Sequence, residues 1–285
     1  MLGPAILARS LTTASIPDEY GNRWQYHSRS DRHSKVACWA VLFDLLQQCR
    51  LLAAHADAGK IGFGINHLMV DFRNNRRKKL DLVLCTPARE DSARRLRSFR
   101  ELAGPEAYTI NLTSAEREIL ARLPNLQETR VGSVLVAIEA KACMTAHQKA
   151  LPRLYDELNS SHLTIHGAAD QAIAAGFVMI NAAEEFISPD RNRHPLATME
   201  PRWNRHTQPR AASLVVGKVE QIPRRSGTGE AGFDAMAITV IDCRNDGSPV
   251  RLLSQAPSPD ADDIFRYERF VDRLSQLYAS RFSTL

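Results

Sequence analysis

The segment 133–141 constrains the fold more than any other part of the chain. It reads Ser-Val-Leu-Val-Ala-Ile-Glu-Ala-Lys and is apolar without interruption from its second residue to its sixth. A strand that is apolar on both faces belongs in the interior of a sheet whose two sides are covered. Residues 176–181 (Gly-Phe-Val-Met-Ile-Asn) repeat the pattern. The sequence therefore predicts a layered fold with a central sheet between helices.

Hydrophobic periodicity and turn residues predict the other elements. We expect a helix over 34–56, a strand over 61–72, its hairpin partner over 79–85, a charged and mostly helical region over 88–130 with Ser114 as a helix N-cap, helices over 145–159 and 162–175, strands over 213–221 and 233–243, and a helix over 262–282. This order indicates an α/β or α+β core in which a mixed sheet is flanked by helices.

The 285 residues are expected to form a single domain with its core over 34–182. The segment 188–210 is rich in proline and arginine and is interpreted as a mobile basic loop. Strands and a helix over 211–285 would complete the domain, since this part alone is short for an independent unit.

Charge and cysteine usage narrow the class of protein. The formal net charge is +5, and only seven of the 37 basic residues are lysine. Arginine suits phosphate because it presents two parallel donors, although codon usage in a GC-rich genome gives the same bias. The five cysteines form no CxxC pair, which is typical of reduced core thiols in a cytoplasmic protein. No segment approaches the ~20 apolar residues that span a bilayer.

Three charged residues stand in segments that otherwise have the pattern of buried strands. Asp81 interrupts the apolar run 80–84, and Glu139 and Lys141 lie on one face near the end of the strand over 133–141. If the two strands are neighbours, the carboxylates face each other across about 5 Å. Such a pair repels unless a cation lies between, and hard oxygen ligands favour Mg²⁺, with Mn²⁺ as a substitute. The alternative is a salt bridge between Glu139 and Lys141 on a half-exposed strand.

Asp81 followed by Glu139-x-Lys141 resembles the PD-(D/E)xK signature of the restriction-endonuclease-like nucleases. The resemblance covers roughly residues 34–182, where the expected order of elements is similar to the common core of that superfamily. It implies a restriction-endonuclease-like core, with Asp81 and Glu139 as metal ligands and Lys141 as the residue that positions or activates water. Leu80 stands where the signature has proline, and the glutamine–tyrosine spacing of exonuclease-like members is absent.

Other residues are candidates for the same site. Asp44, inside the first predicted helix, is a candidate third metal ligand or else an exposed helix residue. His147 and Gln148 follow the strand that carries Glu139 and are candidates for contact with nucleic acid. A basic run leading into the Asp81 strand would neutralise phosphates, or else form a solvated face; it contains Arg73, Arg76, Arg77, Lys78 and Lys79. Further candidate contacts are arginines 89, 94, 95, 97 and 100 and the segment 191–210 with Trp203.

The sequence thus predicts a Mg²⁺-dependent nuclease that hydrolyses DNA phosphodiester bonds. The resemblance implies an endonuclease of restriction or phage defence, working as a homodimer or with a licensing subunit and without a membrane partner. An apolar stripe on the last helix is either a dimer interface or core packing; it comprises Ile264, Tyr267, Phe270, Val271, Leu274 and Tyr278. The alternative function is a non-catalytic nucleic-acid-binding or assembly protein with a nuclease-like fold.

Overall fold

A computed structural model, which describes residues 1–88 and 96–285, places a six-stranded mixed sheet at the centre of the molecule. The strands along the chain are β1 (Ile16–Pro17), β2 (Arg23–Trp24), β3 (Gly62–Asp71), β4 (Arg76–Pro87), β5 (Val131–Cys143), β6 (Ile173–Asn181), β7 (Glu185–Ile187), β8 (Trp203–Arg205), β9 (Ala235–Asp242) and β10 (Arg251–Leu252). The order across the central sheet is β10-β9-β6-β5-β4-β3. Two short pairs, β1 with β2 and β7 with β8, lie outside it.

Eight α-helices are described in the same residues. They are α1 (Gly3–Thr12), α2 (Arg32–Gln48), α3 (Arg50–Asp57), α4 (Phe99–Leu102), α5 (Ser114–Arg122), α6 (His147–Ala168), α7 (Arg210–Glu220) and α8 (Tyr267–Arg281), and a 3₁₀ turn covers Pro189–Arg191. The helices α6 and α7 cover one face of the sheet, while α1, α2 and α8 cover the other. This is the expected arrangement of a sheet flanked by helices.

The strand that the sequence marks as buried on both faces is β5, which lies in the interior of the sheet. It pairs antiparallel with β4 and parallel with β6, and β6 pairs parallel with β9. The hairpin β3–β4 is antiparallel throughout. Since β9 comes from beyond 188–210, chain on both sides of that segment contributes to one sheet.

The single helix expected over 34–56 is wrong. It breaks at Cys49, which has extended backbone angles, and α3 leaves α2 at 99°. Contacts with α8 account for the break: the Cys49 thiol lies 3.7 Å from the Ser275 carbonyl oxygen, and His55 Nδ1 lies 3.0 Å from the Tyr278 hydroxyl. Tertiary packing here overrides a continuous helical pattern.

Two predictions about the second half of the chain are also wrong. The helices expected over 145–159 and 162–175 are the single helix α6, in which the Ser161 hydroxyl donates to the Glu157 carbonyl and keeps the turn intact. The strand expected over 213–221 is α7. Its buried residues Ala212, Val215 and Val219 recur at helical spacing, so the branched side chains pack on one helix face.

The prediction that 88–130 is mostly helical is wrong for its described part, where only α4 and α5 are helical. Thr113, not Ser114, caps α5, in a capping box with Glu116. The segment expected to be a mobile loop is more structured than the sequence indicates. Within 188–210, buried Asn192 donates to the carbonyls of Ser188 and Arg202 and accepts from the Arg202 N–H. The segment is therefore pinned at its base.

The remaining sequence features have structural roles in the described part of the chain. All five cysteines are buried and free. Of the apolar residues expected on the last helix, those on α8 pack into the core, whereas Ile264 precedes α8 and is exposed. No single described helix is both long and apolar enough to cross a bilayer; α2 and α3 reach that length only jointly, across their bend.

Candidate active site

The sheet opens at Asp81. The paired residues of β4 and β5 end at Leu82 opposite Ile138, although both strands continue. Beyond this pair, the backbone N–H of Ala140 donates to Oδ2 of Asp81 at 2.9 Å. A carboxylate thus takes the place of a backbone acceptor, and it lies where the two strands separate.

The irregularity of β4 explains how an acidic side chain reaches this position. Leu80 and Val83 pack in the cluster beneath α6, three residues apart, so the two-residue alternation slips at Asp81. On β3, Asn66 stands between the residues that pair with Leu80 and Leu82, and it has a left-handed φ of 54°. Because of this irregularity, the Asp81 side chain lies in the opening between β4 and β5 and not in an apolar layer.

Glu139 is buried beside this opening, with 1% of its surface exposed. Its Oε1 lies 2.7 Å from the Lys141 ammonium and 3.5 Å from that of Lys78. Its Oε2 is buried and has no hydrogen-bond partner among the described residues. A buried carboxylate oxygen without a partner is costly, so the site has a free acceptor position that suits a cation.

Asp81 and Glu139 influence each other electrostatically. Burial and the negative charge of Glu139 raise the pKa of Asp81 to about 6, although the Ala140 N–H and the charge of Lys141 offset part of the shift. Two carboxylates that repel in this way are the arrangement in which a bound proton or metal ion is stabilising.

Lys141 is a charged residue of the site. Burial alone would lower its pKa, but the charge of Glu139 and the hydrogen bond to it, together with the charges of Glu157 and Asp81, raise it to about 12. Its ammonium is held between Glu139 and Oε2 of Glu157, at 3.2 Å from the latter. Lys141 is therefore a fixed cation in the usual pH range.

Asp81 and Lys141 line a cleft of about 430 Å³ at the end of β5 and the start of α2, and Glu139 is buried behind Lys141 and does not line it. Its walls come from the start of α2, the end of β5, the face of α6 and residues 188–190; among them are His33, Ser34, Thr145, Arg153, Glu157 and Asp190. Burial and the charge of Lys141 lower the pKa of His33 to about 4, so its imidazole is neutral at physiological pH. A polar, half-open cleft of this kind suits a charged polymer better than an apolar ligand.

Glu157 is the residue that sequence reasoning missed. It holds Lys141, and its other oxygen accepts from Arg153 Nε at 2.6 Å. A signal was present, because Glu157 follows Ala150 and Leu154 at helical spacing on the stripe of α6 that faces the sheet. A carboxylate on an apolar stripe marks a residue with a specific partner.

The structure does not bring Asp44 to this cleft. Its carboxylate is buried at the N-terminus of α1, where it accepts from the N–H groups of Leu2 at 2.9 Å and Gly3 at 2.7 Å. Asp44 thus satisfies the free amides at the start of a helix. The third metal ligand expected from the first helix is not among the cleft residues.

Replacing Asp44 by alanine is expected to lower the free energy of unfolding by roughly 1–3 kcal/mol, because two buried amides lose their acceptor. If the protein has the nuclease activity that the sequence predicts, cleavage per folded molecule should stay within twofold of the wild type. Urea unfolding and a cleavage assay on the same preparation measure the two effects. A complete loss of cleavage in a folded Asp44→Ala protein would return Asp44 to the site.

The expected nucleic-acid contacts divide into three groups. His147 is buried and its Nε2 lies 2.7 Å from the Asn181 carbonyl oxygen, so it is not available to a ligand, whereas Gln148 is exposed. Lys78 faces the site, and Arg76 is half-buried on the same side of β4. Exposed positions on the hairpin are occupied by Arg73, Arg77 and Lys79.

The other arginines are varied in their roles. Arg100 donates to the carbonyls of Ala121 and Leu123, and Trp203 stacks beneath the guanidinium of Arg244 at 4.8 Å. Arginines 89, 94 and 95 lie outside the described residues.

The donor set fits Mg²⁺ in the way that this ion usually binds. Within residues 1–88 and 96–285, no three His, Cys, Asp or Glu side chains form a ready metal cage. Mg²⁺ keeps several waters and typically takes one or two protein carboxylates plus substrate phosphate. Asp81 and the free oxygen of Glu139 meet that requirement.

Comparisons with protein-family models, curated proteins and solved structures give no match for this chain.

Proposed function

We propose that this chain is a Mg²⁺-dependent nuclease of the PD-(D/E)xK kind, with a restriction-endonuclease-like core, that hydrolyses DNA phosphodiester bonds. The observation that carries the proposal is the unpartnered, buried oxygen of Glu139 next to the raised-pKa carboxyl of Asp81, in an opening of the sheet that leads to a polar cleft. A purely structural ion pair between Glu139 and Lys141 has no need of a second carboxylate at repulsive distance.

The chain's own residues have distinct roles in this proposal. Asp81 and Glu139 would hold the ion, which when bound supplies a Lewis acid for a phosphoryl oxygen and favours ionisation of a water; Mn²⁺ would substitute. Lys141 stays protonated and places a positive charge where negative charge develops in phosphodiester hydrolysis. Glu157 is a positioning residue, since it holds the Lys141 ammonium from the opposite side.

The proposal extends to the biological setting implied by the signature. We place the enzyme among endonucleases of restriction or phage defence, acting in the cytoplasm on DNA, either as a homodimer or with a licensing subunit. A licensed enzyme is silent alone, so metal binding and cleavage need separate assays.

Supercoiled plasmid in millimolar Mg²⁺ tests the function. The wild type should give nicked or linear product that EDTA abolishes, and Lys141→Ala should cut at least 10²-fold more slowly. Lys149→Ala, an exposed lysine on the first turns of α6 that does not line the cleft, is the matched control and should cut normally. Equal cutting by all three proteins would contradict the proposal. A plasmid that shifts on a gel and stays intact, with and without cell extract, would favour the non-catalytic binding protein.

The pH dependence of metal binding follows from the pKa of Asp81. Burial and the charge of Glu139 raise it to about 6, and a ligand carboxyl must be ionised to bind. Affinity for Mn²⁺ should therefore be constant above about pH 7 and fall about tenfold per unit below pH 6. Isothermal titration between pH 5 and 8 measures it. Affinity that stays flat down to pH 5 would exclude Asp81 as a ligand.

A further inference from the structure

The hairpin β3–β4 ends in a turn with an unusually exposed aromatic side chain. Phe72 is 89% exposed, and Leu68, earlier on β3, is 56% exposed. Among the described large apolar residues these are the two most exposed. We call residues 68–79 the basic hairpin, because five of the residues on it are arginine or lysine.

The turn that presents Phe72 is held in place from inside. The carboxylate of Asp71, which is fully buried, accepts from the N–H groups of Arg73 and Asn74 and from the Asn74 amide. Gly167 of α6 makes room for it, since a Cβ there would collide with the Asp71 carboxylate. Phe72 thus projects into solvent from a fixed support.

Positive charge surrounds this aromatic side chain. Arg73, Arg77 and Lys79 are exposed, and no acidic residue occurs from 72 to 80. Lys79 stands directly opposite Leu68 in the hairpin, so the two side chains share one face. The exposed face therefore combines apolar and cationic groups with no compensating anion of its own.

The inner face of the basic hairpin lies along α6, on the side of the sheet that holds Glu139 and Lys141, whereas Arg77 and Lys79 alternate with Lys78 and point away from α6. Lys78 donates to the Glu157 carbonyl at 3.3 Å, next to the carboxylate that holds Lys141, while Asp71 packs against Gly167. Ten helical residues separate these two contacts on α6, which is about 15 Å. A ligand that reaches from the turn of the hairpin to the candidate site must therefore be a polymer of several units.

We infer that the basic hairpin binds the nucleic-acid substrate some distance from the scissile bond, with Phe72 stacked on a base and Arg73, Arg77 and Lys79 on neighbouring phosphates. The inference rests on the proposed nuclease function and adds to it how the substrate is held. Bases stack on aromatic side chains whatever their sequence, and apolar wedges also enter duplexes between base steps. About 15 Å corresponds to four or five nucleotides at about 3.4 Å each.

Binding to fluorescent single-stranded and duplex DNA in EDTA tests the inference without cleavage. Phe72→Ala should weaken binding about tenfold to one or both forms, Phe72→Leu should be as weak, and Phe72→Tyr should bind within twofold of the wild type. The salt dependence of Phe72→Ala should match the wild type, whereas Arg77→Ala should reduce its slope by about 1. Leu214→Ala, another exposed apolar residue (46% exposed) on α7, is the matched control.

Two results would overturn the inference: wild-type affinity of Phe72→Ala for both DNA forms, or displacement of the protein's DNA by polyglutamate with the same dependence on Phe72, which would assign the face to an acidic protein. A loss of affinity for single-stranded DNA indicates that Phe72 stacks on an unpaired base, and a loss of affinity for duplex DNA indicates that Phe72 inserts between base steps. The plasmid assay tests the nuclease proposal separately, because it measures cleavage and not affinity. If the wild type never cuts DNA but Phe72→Ala lowers the affinity for DNA, the stacking inference stands without the nuclease proposal. If the wild type cuts DNA and Phe72→Ala binds DNA as tightly as the wild type, the stacking inference is wrong.

Discussion

Replacing Asp81 by asparagine is expected to abolish Mg²⁺-dependent cleavage and, at the same time, to raise the free energy of unfolding at pH 8 by up to about 3 kcal/mol. Burial and the charge of Glu139 raise the pKa of Asp81 to about 6, against 3.8 for an ordinary aspartate. The ionised carboxylate is therefore less favourable in the folded chain than in the unfolded one, by about 1.4 kcal/mol for each unit. Asparagine keeps an acceptor for the Ala140 N–H and removes the repulsion.

The size of this effect changes with pH in a defined window. Because the folded-state pKa lies above the unfolded one, the wild type loses stability as the pH rises from about 4 to about 6 and levels off above that. Asp81→Asn lacks this loss, so the difference between the two proteins should be small near pH 4 and fully developed at pH 7. Urea unfolding in EDTA across this range measures it, with the exposed Asp260→Asn as control.

Opposite changes in stability and activity would identify Asp81 as a residue kept for chemistry at a cost to the fold. If Asp81→Asn is less stable than the wild type at pH 8, the carboxylate is a structural acceptor of the Ala140 N–H. In that case the site loses its second metal ligand.

Replacing Arg225 by alanine is expected to lower the free energy of unfolding by about 3–5 kcal/mol, the largest stability effect that the structure suggests. The Arg225 side chain is completely buried, with Nε 3.0 Å from Asp234 Oδ1 and Nη1 3.1 Å from Asp170 Oδ1. It also donates to the carbonyls of Asp170 and Ala172. Among the described residues, its removal leaves Arg281 as the one charged partner of Asp234, because the other neighbour, His166, is neutral.

This network sets the relative position of two parallel strands. Asp234 precedes β9 and accepts from the Ala174 N–H of β6 at 2.8 Å, while Arg225 joins it to the end of α6 through Asp170. It therefore supports the sheet at the edge opposite the candidate site. Urea unfolding of Arg225→Ala measures the loss, and the adjacent exposed Arg224→Ala should change stability by less than 1 kcal/mol. An Arg225→Ala protein as stable as that control would refute the account of this network.

The layers of the fold and the adjacency of the strands that carry Asp81 and Glu139 were predictable because each leaves a mark in the local sequence. An apolar run such as 133–141 restricts a strand to the interior, and a charge inside such a run must find a partner. The structure agrees with the first expectation, since β4 and β5 are neighbours inside the sheet, and the partner of Glu139 is Lys141, which is the salt bridge that the alternative interpretation expected.

Other features depended on contacts that are distant in sequence. Asp44 has the helical position of a candidate ligand, but its use is decided by where the N–H groups of Leu2 and Gly3 lie. The break at Cys49 depends on α8, more than 200 residues later. Glu157 contacts Lys141 because α6 packs across the sheet beside β5, and that placement depends on tertiary packing.

The central claim is that Asp81 and Glu139 together hold a divalent cation, and a Mn²⁺ titration followed by electron paramagnetic resonance tests it most directly, because it does not depend on a partner or a cleavable substrate. We predict one bound Mn²⁺ per chain at pH 8, displaced by Mg²⁺, and lost in both Asp81→Asn and Glu139→Gln while Asp44→Ala still binds. Binding that survives either of the first two substitutions, or no binding by the wild type, would contradict the claim.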